Sequence, residues 1–168
     1  FEYLMPLLVM RLYERTLLDE TCRNVVDRQV AYGRERGVPW GVSESAYYAL
    51  HANRDYRYKS HGIPGLGLKR GLADNRVIAP YATGLAAMVD PQAACRNYAR
   101  LAAMGALGQY GFYEALDFTS ARVPKGATAA IVHSYMAHHQ GMTIVAIANI
   151  LQAGGMRARF HREPMIQS

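Results

Sequence analysis

The sequence predicts a mainly α-helical fold, and three observations support that prediction. Several segments repeat apolar residues at helical spacing, while hardly any alternates with period two. A chain of 168 residues, 51% of them hydrophobic and 19% charged, suits one globular domain. Glycine and proline gather between the helical segments, where they predict loops. We therefore expect helix pairs joined by glycine-rich and aromatic-rich connections.

The first two helices are predicted over residues 4–15 and 17–36. Within the second, Cys22 and Tyr32 belong to one apolar stripe. Gly37 stands where a left-handed C-terminal cap belongs, which predicts the end of the second helix at residue 36.

Residues 38–79 change character, because glycine and tyrosine become frequent and the helical pattern fades. We expect an ordered loop region there, with one short helix over residues 43–50. A connection of this length inside a compact domain is uncommon unless it has a function. The sequence therefore predicts a binding surface in this region.

Three more helices are predicted, over residues 80–89, 92–106 and 128–151. Asp90 and Pro91 supply an N-cap followed by proline at the first helical position. A second glycine-rich and aromatic-rich stretch, residues 108–126, precedes the last of these helices.

Composition argues against several classes of protein. The longest apolar runs are less than half of the ~20 residues that a membrane-spanning helix needs. The formal net charge is +6, but basic residues are scattered among acidic ones, so no nucleic-acid partner is expected. Cys22 and Cys95 are far apart in predicted helices, which favours free thiols in a reducing compartment over a disulfide or a metal site.

Two glutamates differ from the other acidic residues because they are flanked by aromatic residues and glycines. Glu44 follows Trp40, and Glu114 follows Phe112 and Tyr113. A carboxyl group beside aromatic rings is partly removed from water, which favours its neutral form and suits it to donate a proton. Aromatic rings near acids also suit sugars, which stack on the rings while their hydroxyls bond to carboxylates. Both glutamates are therefore candidate catalytic acids.

Each of these residues also has a structural interpretation. Glu44 could be a first-turn acid that interacts with a helix dipole, and Glu114 could pair with an arginine. Lys69 and Arg70, in a glycine-rich run without P-loop spacing, could bind a sugar hydroxyl, orient a carboxylate or be solvated.

The histidines near the last helix do not have metal-ligand spacing, since adjacent residues such as His138 and His139 point about 100° apart on a helix. Packing in the core or lining a cleft is the simpler role for them, and contact with a polar ligand is the functional alternative. No metal and no cofactor is expected.

Six segments together resemble, in this order, the glucoamylase-like domain of cyclic β-1,2-glucan synthases. They are residues 1–6 (FEYLMP), 39–47 (PWGVSESAY), 62–72 (GIPGLGLKRGL), 79–83 (APYAT), 110–117 (YGFYEALD) and 134–142 (SYMAHHQGM). The resemblance covers nearly the whole chain.

The resemblance implies an (α/α)6-barrel-type, glycoside-active domain of a large bacterial inner-membrane protein, with this domain on the cytoplasmic side. Twelve helices need roughly twice this length, so residues 1–168 would form the C-terminal half of one barrel. The N-terminal half and other regions of the parent chain would then be partners. An isolated half would expose apolar edges at Leu7, Leu8, Leu12, Ile144, Ile147 and Leu151, and would self-associate.

The activity that the resemblance implies is transglycosylation that closes a linear β-1,2-glucan into a ring. Glu44 and Glu114 are the candidates for acid/base and nucleophile, and the sequence leaves both the assignment and the stereochemistry open. A second set of residues is expected to line the same cleft and bind the glucan: Trp40, Tyr47, Lys69, Arg70, Tyr110, Tyr113, Asp117, His138, His139 and Gln140. The competing hypothesis is a catalytically silent module for glucan binding or assembly.

Overall fold

The computed structural model describes residues 3–67 and 71–167. Helices and small sheets alternate along this part of the chain. The helices are α1 (Leu17–Arg36), α2 (Pro80–Ala86), α3 (Pro91–Ala103), α4 (Ala137–Leu151), α5 (Gly155–Phe160) and α6 (Pro164–Gln167). Short 3-10 turns occupy Met5–Leu8 and Leu72–Asp74.

All the sheets in the described ranges are antiparallel and small. The strands are β1 (Ser45–Leu50), β2 (Tyr56–Lys59), β3 (Val77–Ile78), β4 (Leu107–Gly108), β5 (Gly111–Phe112), β6 (Ala115–Asp117) and β7 (Ala130–Val132). β1 and β2 form a hairpin, β4 and β5 form a second one, and β6 lies between β3 and β7. β1 packs against β6 and β7, which brings the first hairpin onto the three-stranded sheet.

The predicted fold class is wrong. The chain is a mixed arrangement of helices and small antiparallel sheets, and neither a mainly α fold nor half of an α-barrel describes it. The physical reason is strand length, since most of these strands have only two to four residues. Whether strands this short form depends on their pairing with other segments of the chain. They leave almost no period-two pattern in the sequence.

Two helix boundaries that depend on local chemistry are confirmed. α1 ends at Arg36, and Gly37 caps it with a φ of 69°, the left-handed cap conformation. α3 begins after Asp90, whose Oδ1 accepts a hydrogen bond of 2.8 Å from the Ala93 amide, with Pro91 in the first turn.

Three predicted helical segments differ from the structure. Residues 4–15 contain only a 3-10 turn, and the predicted helix at residues 43–50 is strand β1. The last long helix begins at Ala137, because the residues before it include strand β7. Residues 45–50 form a strand because their tyrosines suit a pleated surface and because β2, just beyond the turn, pairs with them.

The core forms where these elements meet. One cluster joins α1 to α2 and α3 and contains Leu7, Cys22, Val26, Leu85 and Ala94. A second joins α1 and α3 to the three-stranded sheet and contains Tyr32, Ile78, Leu101 and Leu116. A third, between β1 and that sheet, contains Ala46, Val77, Ala115 and Val132. The third cluster holds the first hairpin against β6.

No helix within the described residues has the length and apolar character needed to cross a membrane.

Candidate functional site

The two candidate glutamates lie at the starts of neighbouring strands. Glu44 immediately precedes β1, and Glu114 immediately precedes β6. Packing of β1 against β6 brings these strand ends together. The Ala46 amide of β1 donates a hydrogen bond of 3.1 Å to Oε1 of Glu114, so the backbone two residues after Glu44 contacts the second carboxyl directly.

Glu114 is enclosed by the protein. Its residue is 2% exposed, and its Oε2 atom lies 2.9 Å from Nδ1 of His139, in the first turn of α4. Nδ1 of His139 and the Ala46 amide are the polar partners of the Glu114 carboxyl, and a buried carboxyl group requires such partners. Glu114 therefore fixes the orientation of the equally buried His139 ring.

Tyr58 connects this buried pair to Glu44. The Tyr58 hydroxyl donates a hydrogen bond of 2.8 Å to Oε1 of Glu44 and lies 3.4 Å from Nε2 of His139. Burial, together with the hydrogen bond to Glu44, raises the pKa of Tyr58 well above its usual range. The hydroxyl therefore stays protonated and remains a donor. Glu44, Tyr58, His139 and Glu114 form one continuous chain of polar contacts, called here the carboxyl relay.

Tyr81 packs against the carboxyl relay. Its ring stacks on His139 with centroids 3.7 Å apart and planes 11° apart. Its hydroxyl donates to the backbone carbonyl of Glu44 at 3.0 Å and lies 2.8 Å from Oγ of Ser43. Burial raises the pKa of Tyr81, so this hydroxyl is protonated as well. Both the backbone and the side chain of Glu44 are thus held in place.

Glu44 differs from Glu114 in its access to open space. It is half-buried and lines a cavity of about 380 Å³ between α1 and the segment that follows β2. Ser60, on the same wall, lies 3.5 Å from Oε2 of Glu44. Glu44 is therefore the carboxyl of the relay that a ligand can reach from this cavity.

One predicted glucan-binding residue belongs to the carboxyl relay, and a second lies beside it. His139 is part of it, and His138 is exposed beside it, with its ring centroid 4.0 Å from that of His139 and 6.5 Å from that of Tyr58. Both contact Tyr58, which sequence reasoning did not single out.

The other aromatic candidates lie in separate surroundings. Tyr110 is 75% exposed at the β4–β5 turn, and both it and Tyr113 pack against Tyr135. Gln140 donates from Nε2 to the Phe112 carbonyl at 3.1 Å, which ties α4 to that hairpin.

Tyr47 and Asp117 share another cluster with Arg122, and the Tyr47 ring also packs edge-on against the His61 ring, with centroids 5.9 Å apart. Asp117 is fully buried and bonded to Arg122 at 2.6 Å, and the Tyr48 amide donates to it at 3.1 Å. The guanidinium carbon of Arg122 lies 4.9 Å from the Tyr47 ring centroid. Asp117 thus holds β1 in position from within the protein.

Trp40 is a core residue. It is 8% exposed in the cluster between α1 and α2, and its backbone amide and carbonyl both bond to the side chain of Asn97. Lys69 and Arg70, the two predicted cationic ligands, lie outside the described residues.

Sequence reasoning missed Tyr58 and Tyr81. The signal for Tyr58 was the short alternating run YRYK at residues 56–59, which predicts an exposed strand when it is read together with β1. Tyr81 sits in one of the six resemblance segments, but its neighbours gave no chemical reason to select it.

Metal-binding geometry does not occur among the described residues, where no three histidine, cysteine or acidic side chains gather as a ligand set. Cys22 is a buried free thiol, and Cys95 is an exposed one. Burial raises the pKa of Cys22 and makes that thiol unreactive.

Comparison with known proteins identifies the family of this chain. Residues 1–164 match the family model Glycoamylase, whose description is that of a glucoamylase, and the chain belongs to this family. The resemblance inferred from the six segments is thereby confirmed.

The chain is also similar over its whole length to one curated protein. The chain is 49% identical, over all of its 168 residues, to the cyclic β-(1,2)-glucan synthase NdvB of Rhizobium meliloti (strain 1021). It spans 6% of the length of that relative. The matched region is therefore a small part of a much larger polypeptide.

Proposed function

We propose that the protein carrying this chain acts on β-1,2-glucan, transferring a glycosyl unit so that a linear chain closes into a ring. Membership of a glucoamylase-like family supports chemistry at a glycosidic bond. The similarity to a cyclic β-(1,2)-glucan synthase supports the linkage and the cyclic product. In the same proposal the parent protein is membrane-associated, as a synthase of this size and type would be.

The observation that carries the proposal is the position of Glu44, which lies at the cavity while Tyr58 holds one of its oxygens. A protonated Glu44 can donate its proton to the glycosidic oxygen as the bond to the anomeric carbon breaks. The resulting carboxylate can then take the proton from the attacking hydroxyl of the acceptor end as the new bond forms. One carboxyl group thus serves as acid and base in turn.

Glu114 has an indirect part in this scheme, through the orientation of His139 and Tyr58. The prediction that Glu114 reacts with the sugar itself stays a prediction. For that role the Glu114 carboxylate would have to give up its contact with His139 and contact the sugar instead. Whether the reaction retains or inverts the anomeric configuration depends on the distance between Glu44 and the second carboxylate that faces it when glucan is bound.

A second candidate function is a glucan-binding module without catalysis of its own. One observation favours it: along the described lining of the cavity, Glu44 is the only carboxylate. Glycoside chemistry usually needs two. In this case other regions of the parent protein would supply the reaction, and the cavity would only hold the chain.

The test uses the full-length protein with Glu44→Gln and, separately, Glu114→Gln. We expect Glu44→Gln to lower product formation from linear β-1,2-glucan by about 10³-fold or more, because the amide can neither donate nor accept the required proton. For Glu114→Gln we expect a loss of about tenfold to 10²-fold with weakened folding, since the buried contact with His139 is disturbed.

The matched control is Glu20→Gln, an acidic residue in the first turn of α1. It should leave turnover unchanged. Glucan binding with turnover that is insensitive to Glu44→Gln would support the binding module and contradict the catalytic assignment.

A further inference from the structure

The segment that leads to Glu44 lies outside any helix or strand. Residues 41–43 have no regular secondary structure, Glu44 lies in a bend, and β1 begins at Ser45. Such a segment has no ladder of backbone hydrogen bonds to fix its path. Its buried backbone groups still require partners, so other contacts have to supply them.

A side-chain amide of α1 supplies partners for both backbone groups of Val42. The Val42 amide donates a hydrogen bond of 3.0 Å to Oε1 of Gln29, and Nε2 of Gln29 donates one of 2.8 Å to the Val42 carbonyl. The carboxamide presents an acceptor and a donor side by side, as the backbone of a neighbouring strand does. Val42 is buried, so these groups depend on a partner within the protein.

Gln29 is a polar residue in the apolar stripe of α1. It follows the buried Val25 by one helical turn and precedes the buried Tyr32 by three residues. Packing alone would favour an apolar side chain at such a position. The paired hydrogen bonds to Val42 give a physical reason for glutamine there.

These bonds make Gln29 one of two anchors around Glu44. Two residues before Glu44, the Val42 backbone is held by Gln29, and two residues after it, the Ala46 amide is held by Glu114. Gln29 therefore determines where the chain enters the bend. A general acid must lie within hydrogen-bond reach of the oxygen that it protonates, so a displacement of about 1 Å is enough to slow the reaction.

Gln29 also lines the cavity that Glu44 reaches, which raises the question of direct contact with the glucan. Its carboxamide oxygen and nitrogen are both bonded to Val42. A sugar hydroxyl would have to compete with these bonds. Placing Glu44 is therefore the role that the geometry favours.

We infer that Gln29 is a positioning residue for Glu44: its carboxamide fixes the Val42 backbone and, through it, the direction in which the Glu44 carboxyl group faces the cavity. This inference rests on the proposed function. Gln29 does not touch the reacting atoms. Its loss should slow the reaction step and leave the binding of glucan almost unchanged.

The experiment measures kcat and KM of the full-length protein with linear β-1,2-glucan. Gln29→Met keeps the length of the side chain and removes both hydrogen-bonding groups. We expect kcat to fall about tenfold to 10²-fold, and KM to stay within about twofold, because only the alignment of Glu44 is lost. Gln92→Met, at an exposed position in the first turn of α3, is the matched control and should leave both constants unchanged.

Gln29→Glu gives a readout that a loss of stability would not produce. Its carboxylate can accept from the Val42 amide but repels the Val42 carbonyl, whereas its protonated form offers the same donor and acceptor as glutamine. The ratio of variant to wild-type kcat should therefore rise as the pH falls from about 8 to about 5. A flat ratio would contradict the inference. This variant decides the question if Gln29→Met does not fold.

A double variant tests whether Gln29 acts through Glu44. Gln29→Met combined with Glu44→Gln should be no slower than Glu44→Gln alone, because no acid remains to be positioned. A loss in the double variant equal to the product of the two single losses would overturn the inference.

The kinetic constants separate the remaining outcomes. A raised KM with unchanged kcat in Gln29→Met would assign Gln29 to glucan binding, and two unchanged constants would deny it any role, so either result overturns the inference. If Glu44→Gln abolishes turnover while Gln29→Met has normal constants, only the positioning role is wrong. If turnover is insensitive to Glu44→Gln, the proposed function fails and the inference fails with it.

Discussion

Glu44 and Glu114 look alike in the sequence and have different surroundings in the structure. Glu114 lies under β1 and contacts His139, whereas Glu44 opens into the cavity and receives the Tyr58 hydroxyl. The difference comes from their neighbours in space, because both glutamates precede a strand and follow aromatic residues. Tyr58 is the side chain that couples the two.

Replacing Tyr58 by phenylalanine tests this coupling in the full-length protein. Tyr58→Phe removes the donor to Glu44, and we expect glucan turnover to fall about tenfold or more because Glu44 loses its fixed orientation. The raised pKa of Tyr58 keeps its hydroxyl protonated into alkaline solution. The loss should therefore be the same near pH 6 and near pH 9, measured as initial rates.

Tyr48→Phe on the same hairpin is the control, since Tyr48 is partly exposed and its ring packs on Tyr56. It should retain full activity. A Tyr58→Phe protein with normal turnover would show that Glu44 does not depend on the relay.

At the scale of elements, helix α3 positions the segment that precedes Glu44. α3 packs on α2, and its Asp90 cap fixes where the helix starts. The side chain of Asn97, on the same helix, bonds to the Trp40 backbone. The start of α3 therefore positions the segment that leads from Trp40 to Glu44.

Asp90→Ala should lower the free energy of unfolding by about 1 kcal/mol, because the Ala93 amide loses its capping acceptor. Chemical denaturation of the chain measures this change. Asp90→Asn, which keeps a capping oxygen, should cost only a small part of it. Equal losses in the two variants would indicate that charge, and not the capping hydrogen bond, stabilises this helix.

At the scale of the whole molecule, α4 presents an apolar surface. Ile144 is 66% exposed and Leu151 is 79% exposed, with Ile147 between them along the helix. Leu7, predicted to lie on the opposite edge, is instead fully buried, and Leu8 and Leu12 pack partly against the same core. The exposed stripe of α4 is therefore the surface on which we expect another copy or another region of the parent chain to pack.

We expect the 168-residue chain to self-associate through this stripe. Ile144→Lys combined with Leu151→Lys should shift the chain toward monomer, since burying apolar surface contributes about 25 cal/mol per Å². Sedimentation velocity measures the change. Leu107→Lys, at an exposed position on β4, is the control and should leave association unaltered. A monodisperse monomer before any substitution would contradict this prediction.

The sequence determined the features that depend on neighbouring residues. The left-handed Gly37 and the Asp90–Pro91 start were predictable because a cap is formed within one turn of helix. The stripe of α1 was predictable because helical periodicity needs no distant partner. The six matching segments were sufficient to indicate the family.

Tertiary structure alone decided the strands and the division of roles in the site. β1 becomes a strand because β2 and β6 pair and pack with it, and β3, β6 and β7 are too short to show a pattern of their own. The contact between Glu114 and His139 joins residues on different elements, which no spacing along the chain encodes. Trp40 goes to the core and Glu44 to the cavity because burial depends on what packs above each residue, which only the folded chain defines.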